Sequence, residues 1–70
     1  MDAAERFLLK AIELQPEDIE LKETLGNIYF NNNLLNKAIP IYEGILTIKP
    51  DHKALAKTLS IAYQKLIKHI

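Results

Sequence analysis

Leu21-Lys22-Glu23-Thr24-Leu25-Gly26-Asn27-Ile28-Tyr29 is met again 34 residues later as Leu55-Ala56-Lys57-Thr58-Leu59-Ser60-Ile61-Ala62-Tyr63. Sliding the whole chain against itself by that offset makes 36 residue pairs, of which six are identical: Ala4/Ala38, Pro16/Pro50, Leu21/Leu55, Thr24/Thr58, Leu25/Leu59 and Tyr29/Tyr63. Chance gives about two at ordinary residue frequencies. The conservative pairs Ile12/Leu46, Leu14/Ile48, Glu17/Asp51 and Gly26/Ser60 extend the match. The chain is therefore built on an internal repeat.

Within the period the apolar spacing is helical. Leu21, Leu25, Ile28 and Tyr29 recur at steps of four, three and one, as do Leu55, Leu59, Ala62, Tyr63 and Leu66, and strand alternation is absent. Each of Pro16 and Pro50 disfavours helix in its predecessor and is followed by acids suited to a first helical turn. Asp18 and Asp51 are the expected caps, Asn31-Asn32-Asn33 supplies residues that tolerate a left-handed turn, and Asn36 is expected to cap the helix that follows. Four helices result, at roughly 3–15, 18–32, 37–49 and 52–69. Pro40 then falls in a first turn, where its missing N–H matters little. Gly44 falls mid-helix, which costs about 1 kcal/mol relative to alanine, and a close neighbouring backbone is the usual compensation.

Seventy residues make one small domain whose stability rests on apolar packing, because no cysteine is present to staple it or to ligate a metal. Apolar residues are 49% and charged residues 26% of the chain, a globular composition. Nine basic residues balance nine acidic ones, so the basic excess of a nucleic-acid binder is missing. The charges are unevenly placed: residues 1–23 hold seven acids and three bases, residues 24–70 two acids and six bases. No apolar run reaches the roughly 18 to 20 residues of a bilayer span, and the N-terminus lacks the basic start of a signal peptide. A cytoplasmic protein with no membrane and no nucleic-acid partner is the expectation.

Leu25-Gly26-x-x-Tyr29, then Ala38-x-x-x-Tyr42, then Pro50 resembles the tetratricopeptide-repeat signature. The resemblance covers nearly the whole chain in an unusual phase. Residues 1–16 match a second helix, residues 17–50 one complete repeat, and residues 51–70 a first helix, all within a single module of residues 1–70. It implies an all-α fold, four antiparallel helices in a short right-handed solenoid, in which small Gly26, Ser60, Ala4 and Ala38 let helix axes approach and Leu25, Tyr29 and Tyr42 fill between them. Lys22 and Ala56 depart from the family's large aromatic, and Ile45 from its alanine, which is expected to adjust the angle between repeats. Truncating either repeated leucine, Leu25 or Leu59, is expected to cost about 2 to 4 kcal/mol.

For function the resemblance implies a protein or peptide partner, held in a concave groove lined by the first helices of successive repeats. Residue matching puts Glu20, Glu23, Asn27, Phe30 and Asn31 on one side, and Ala54, Lys57, Ile61, Gln64 and Lys65 on the other, acidic at one end and basic at the other. Some family members hold a chaperone's terminal carboxylate between Asn, Lys and Arg side chains. Asn27 and Lys57 match two such positions, but Ile61 stands at the arginine's place and Glu23 where a lysine would favour the anion, so a more general contact is expected. Asn27→Ala is expected to leave the fold nearly unchanged.

No catalytic, cofactor or metal constellation is expected. His52 and His69 lack a nucleophile beside them, and Glu17, Asp18 and Glu20 sit where a helix dipole favours acids. The protein is thus expected to be no enzyme. Tyr29, Tyr42 and Tyr63 read as core aromatics, since basic residues do not interleave with them as in a base-stacking platform. The ends look uncapped: helix one presents Phe7, Leu8, Leu9, Ala11 and Ile12, and helix four Leu59, Ala62, Tyr63, Leu66, Ile67 and Ile70. A second expectation is therefore a homo-oligomer, a closed dimer favoured, joined through Phe7, Leu8, Tyr63, Leu66, Ile67 and Ile70.

Overall fold

The computed structural model describes residues 2–68, the side chain of Asp2 excepted, and contains α1 (Asp2–Leu14), α2 (Ile19–Asn31), α3 (Leu35–Ile48) and α4 (Lys53–Lys68). No strand occurs among the described residues. Asp18 begins α2 as expected, its carboxylate accepting from the Leu21 N–H at 3.2 Å. The cap of α4 is His52, not Asp51: Nδ1 of the imidazole accepts from the Leu55 N–H at 3.4 Å, and the His52 carbonyl accepts from Ala56. His52 stands 34 residues after Asp18, so the repeat places a cap at the same point of each unit.

The turn between α2 and α3 shows why Asn36 caps nothing. Asn33 has φ 62°, the Leu34 N–H donates to the Tyr29 carbonyl at 2.8 Å, and the Asn33 N–H donates to Phe30 at 3.0 Å. That pair of bonds is the Schellman ending, with asparagine in the position glycine usually takes. It draws Leu34 against the apolar core, and Leu34 is itself the N-cap residue of α3, without a side-chain bond. The helix therefore starts two residues early, and Pro40 lies inside it, in the second turn. Its missing N–H leaves the carbonyl of exposed Asn36 to water.

Packing is between chain neighbours: α1 lies on α2, and α3 lies on both α2 and α4. Leu8, Leu25, Tyr29, Ala38, Tyr42, Ile45 and Leu55 form the main core, and Leu35, Ile39 and Ala62 a second cluster between α3 and α4. Tyr42 and Ile45 are both 0% exposed, so Ile45 is a filler of the centre. The Cα envelope measures 35 × 29 × 14 Å, and in so thin a slab every helix keeps a face at the surface.

The two glycines differ in what surrounds them. A Cβ on Gly26 would lie 2.8 Å from Cε1 of Tyr42 and 3.2 Å from Cγ2 of Ile41, so this is the close approach the fold requires. Gly44, for which a close neighbour was expected, has nothing within 4 Å of such a Cβ. Gly44→Ala is therefore expected to stabilise the chain by about 0.5 to 1 kcal/mol through helix propensity alone. Gly26→Ala gains the same propensity but drives into a buried ring, a strain of about 1 to 3 kcal/mol, and is expected to be destabilising on balance. Urea midpoints moving in the same direction for both variants would contradict this. Ala4 and Ser60, grouped with Gly26 and Ala38 by sequence, are exposed, because no described helix packs on those faces.

Candidate partner-binding groove

The candidate groove is the strip between α2 and α4. Two contacts fix how these helices run. Near the start of each, Nε2 of His52 lies 3.3 Å from Oε1 of Glu23; near the end of each, Nζ of Lys65 lies 5.3 Å from the centre of the Phe30 ring. The helices are therefore parallel, with Glu23 and Phe30 of α2 beside His52 and Lys65 respectively. The charge difference consequently runs across the groove, not from end to end: Glu20 and Glu23 belong to one wall, Lys57 and Lys65 to the other.

Between the walls lies Tyr42 of α3, reached from above by two groove residues. Its hydroxyl donates to Oδ1 of Asn27 at 2.6 Å, and the Phe30 ring is tilted 53° to it at 6.4 Å between centres. Burial, and then the charge of Glu23, push the Tyr42 hydroxyl up to about 12. Asn27 is thus part of the fold as well as of the groove. Its carbonyl oxygen is engaged, its amide N–H groups are left to donate outward, and Asn27→Ala strips the acceptor from a buried hydroxyl.

Every groove residue expected from the sequence lies on these two helices. Glu20, Asn27, Asn31, Lys57, Ile61 and Gln64 are exposed, and Glu23 and Phe30 are half-buried. His52 was not expected among them. Its bond to the Leu55 N–H requires a bare Nδ1, which leaves the proton on Nε2 to donate to Glu23. The 34-residue match with Asp18 carried the information for the cap; the contact with Glu23 depends on how far apart the helices settle.

The repeat divides residues by role. The Leu21/Leu55, Leu25/Leu59 and Tyr29/Tyr63 pairs are identical, whereas the groove pairs Glu23/Lys57, Asn27/Ile61 and Phe30/Gln64 all differ in chemistry. Leu21, Leu25, Tyr29, Leu55 and Leu59 pack within the molecule, whereas Asn27, Lys57, Ile61 and Gln64 are exposed.

The residues expected at an interface between copies are placed unequally. Phe7 is 72% and Ile67 65% exposed, and Tyr63 is 39% exposed with its hydroxyl donating to the Glu43 carboxylate. That bond, then desolvation and the Glu43 charge, raise the Tyr63 pKa. Leu8, by contrast, is 7% exposed in the main core and Leu66 packs on the second cluster, so both are largely used within the molecule. Ile70 lies outside the described residues. On the far side of α2, the Tyr29 hydroxyl donates to Oε2 of Glu5 at 2.5 Å and Lys37 lies 5.5 Å from the ring centre, joining α1, α2 and α3. The bond to Glu5, then burial, raises that hydroxyl to about 12.

Among the described residues no three His, Asp or Glu side chains come together as a metal site would require, and no helix is long and apolar enough to cross a membrane. No curated protein and no solved structure matches the chain. The family model described as tetratricopeptide repeat matches residues 19–52, from the first residue of α2 to the cap of α4. Tetratricopeptide repeats are a non-catalytic fold that mediates contacts between proteins. Four helices in antiparallel succession, a 34-residue period and that match show an all-α helical-repeat protein that carries a tetratricopeptide-like repeat over residues 19–52.

Proposed function

We propose that this chain is a non-catalytic adaptor that holds an extended or helical segment of another protein in the strip between α2 and α4. The observation that carries this reading is the divergence of Glu23/Lys57, Asn27/Ile61 and Phe30/Gln64 between units that keep the leucines Leu21/Leu55 and Leu25/Leu59 identical. A strip with an acidic wall, a basic wall and Phe30 with Ile61 between them suits a segment that presents an apolar side chain between charges of both signs. A terminal carboxylate is a poorer fit, because Glu23 faces the same space and Asn27 spends its oxygen on Tyr42.

Two helices offer less than the roughly 800 Å² per side of a standard interface, so micromolar or weaker binding is expected. Peptides selected from a random displayed library against the chain, then titrated into labelled protein, are expected to shift the amides of Asn27, Phe30, Lys57, Ile61 and Gln64. Lys57→Ala with Gln64→Ala should weaken binding without unfolding the chain, since both side chains are exposed. Shifts confined to the outward faces of α1 and α3 would overturn the assignment. Asn27→Ala is unsuited as the probe, because the orphaned Tyr42 hydroxyl costs about 1 kcal/mol of stability.

A further inference from the structure

Two apolar clefts in the surface, of about 350 and 340 Å³, are related by the repeat. Ile12, Lys22, Leu25 and Tyr29 line the first; their counterparts Leu46, Ala56, Leu59 and Tyr63 line the second. The first cleft has a third wall, made by Pro40, Ile41 and Gly44 of α3. The second has walls from α3 and α4 only. The consequence is visible in exposure: Tyr29 is 6% exposed and its counterpart Tyr63 39%.

Thirty-four residues before Pro40, Ile41 and Gly44 stand Arg6, Phe7 and Lys10, on the side of α1 that no described helix covers. We propose that α1 of a second copy supplies the missing wall, seating Phe7 against Ser60 as Ile41 sits against Gly26, so that copies stack head to tail. Side-chain size supports this register. In α2 the close approach needs Gly26, because Tyr42 leaves no room for a Cβ; in the proposed contact Ser60 has a Cβ and Leu8, smaller than tyrosine, stands at the Tyr42 position. The helices' net charges are opposite in sign, four lysines and no acid on α4 against three acids and two bases on α1, but Arg6 and Lys10 beside Phe7 are themselves basic, so the register rests on shape and not on charge.

This contact differs from a closed dimer. It joins unlike faces, so each added copy leaves one of each face free and the stack stays open. The cleft shares Gln64 with the groove, whereas Phe7 lies on α1 outside it, so Phe7→Glu tests stacking without altering a groove residue.

Sedimentation velocity of the full chain from about 10 μM to about 1 mM, the range suited to a small interface, tests it. The mean mass is expected to rise above 8.0 kDa without a plateau at twice that value. Phe7→Glu and Ser60→Glu, both at exposed positions, are each expected to lower self-association about tenfold or more while leaving the helical circular dichroism unchanged. Mixed together, they are expected to form a one-to-one complex, because one variant keeps a sound α4 face and the other a sound α1 face. A chain that stays monomeric to the highest concentration, a plateau at two copies, or variants that associate as the wild type does would overturn the proposal. So would a mixture that fails to pair.

Discussion

Tyr42→Ala is expected to remove roughly half of the chain's stability at 25 °C. The ring is 0% exposed, fills the space that Gly26 leaves open, packs at a tilt against Phe30 and donates to Asn27. Removing a buried aromatic costs about 3 to 5 kcal/mol, and a 70-residue domain has roughly 4 to 10 kcal/mol in total. A urea midpoint lowered by roughly half is the measurement; a urea curve overlaying the wild type would show that Tyr42 is not the centre of the core. Tyr42→Phe keeps the ring and gives up one hydrogen bond, for about 1 kcal/mol.

The same hydroxyl links stability to alkaline pH. Folding raises the Tyr42 pKa from 10 to about 12, mainly because burial disfavours the tyrosinate, and Tyr29 shifts equally through its bond to Glu5. A raised pKa means that the folded state holds the proton more tightly than the unfolded one. The contribution is therefore fully present below about pH 10 and is lost as pH rises towards 12. Urea midpoints should fall across that window, and fall less steeply for Tyr42→Phe.

How far the sequence reached depends on whether a feature is local, repeated or spatial. The Leu21–Tyr29 and Leu55–Tyr63 stretches name the helices because packing at steps of three and four is written directly in the residue order. Asp18 is legible for the same reason: its bond reaches only three residues. Asn36 misleads because the helix start is decided by the preceding turn, where Asn33 and the Leu34 bond to Tyr29 place the first helical residue earlier than side-chain preference would. Asp51 misleads because an acid after proline is the commoner cap, although the 34-residue match points to His52. The groove residues are a reading carried over from the family resemblance, in which the repeat fixes which helices line the strip. Neither the bond from Tyr42 to Asn27 nor the approach of His52 to Glu23 is local, and both depend on interhelical distances that no pattern along the chain specifies.

Leu25→Ala and Leu59→Ala, which the repeat makes equivalent, are expected to differ about twofold or more in their effect on stability. Leu25 is 2% exposed, enclosed between α1, α2 and α3, so truncation leaves a cavity that the surrounding helices cannot readily close; about 3 to 5 kcal/mol is expected. Leu59 is only half-buried, because its cleft lacks a third wall, and part of the area it would surrender already faces water. About 1 to 2 kcal/mol follows from the smaller area. Urea melts at low micromolar concentration, where copies are separate, measure the difference, and equal shifts of the two midpoints would contradict it. Raising the concentration into the range of stacking should then narrow the gap. A neighbour's α1 covering Leu59 adds burial to that leucine and none to Leu25, and association of the folded form raises apparent stability only while the contacting side chain is present.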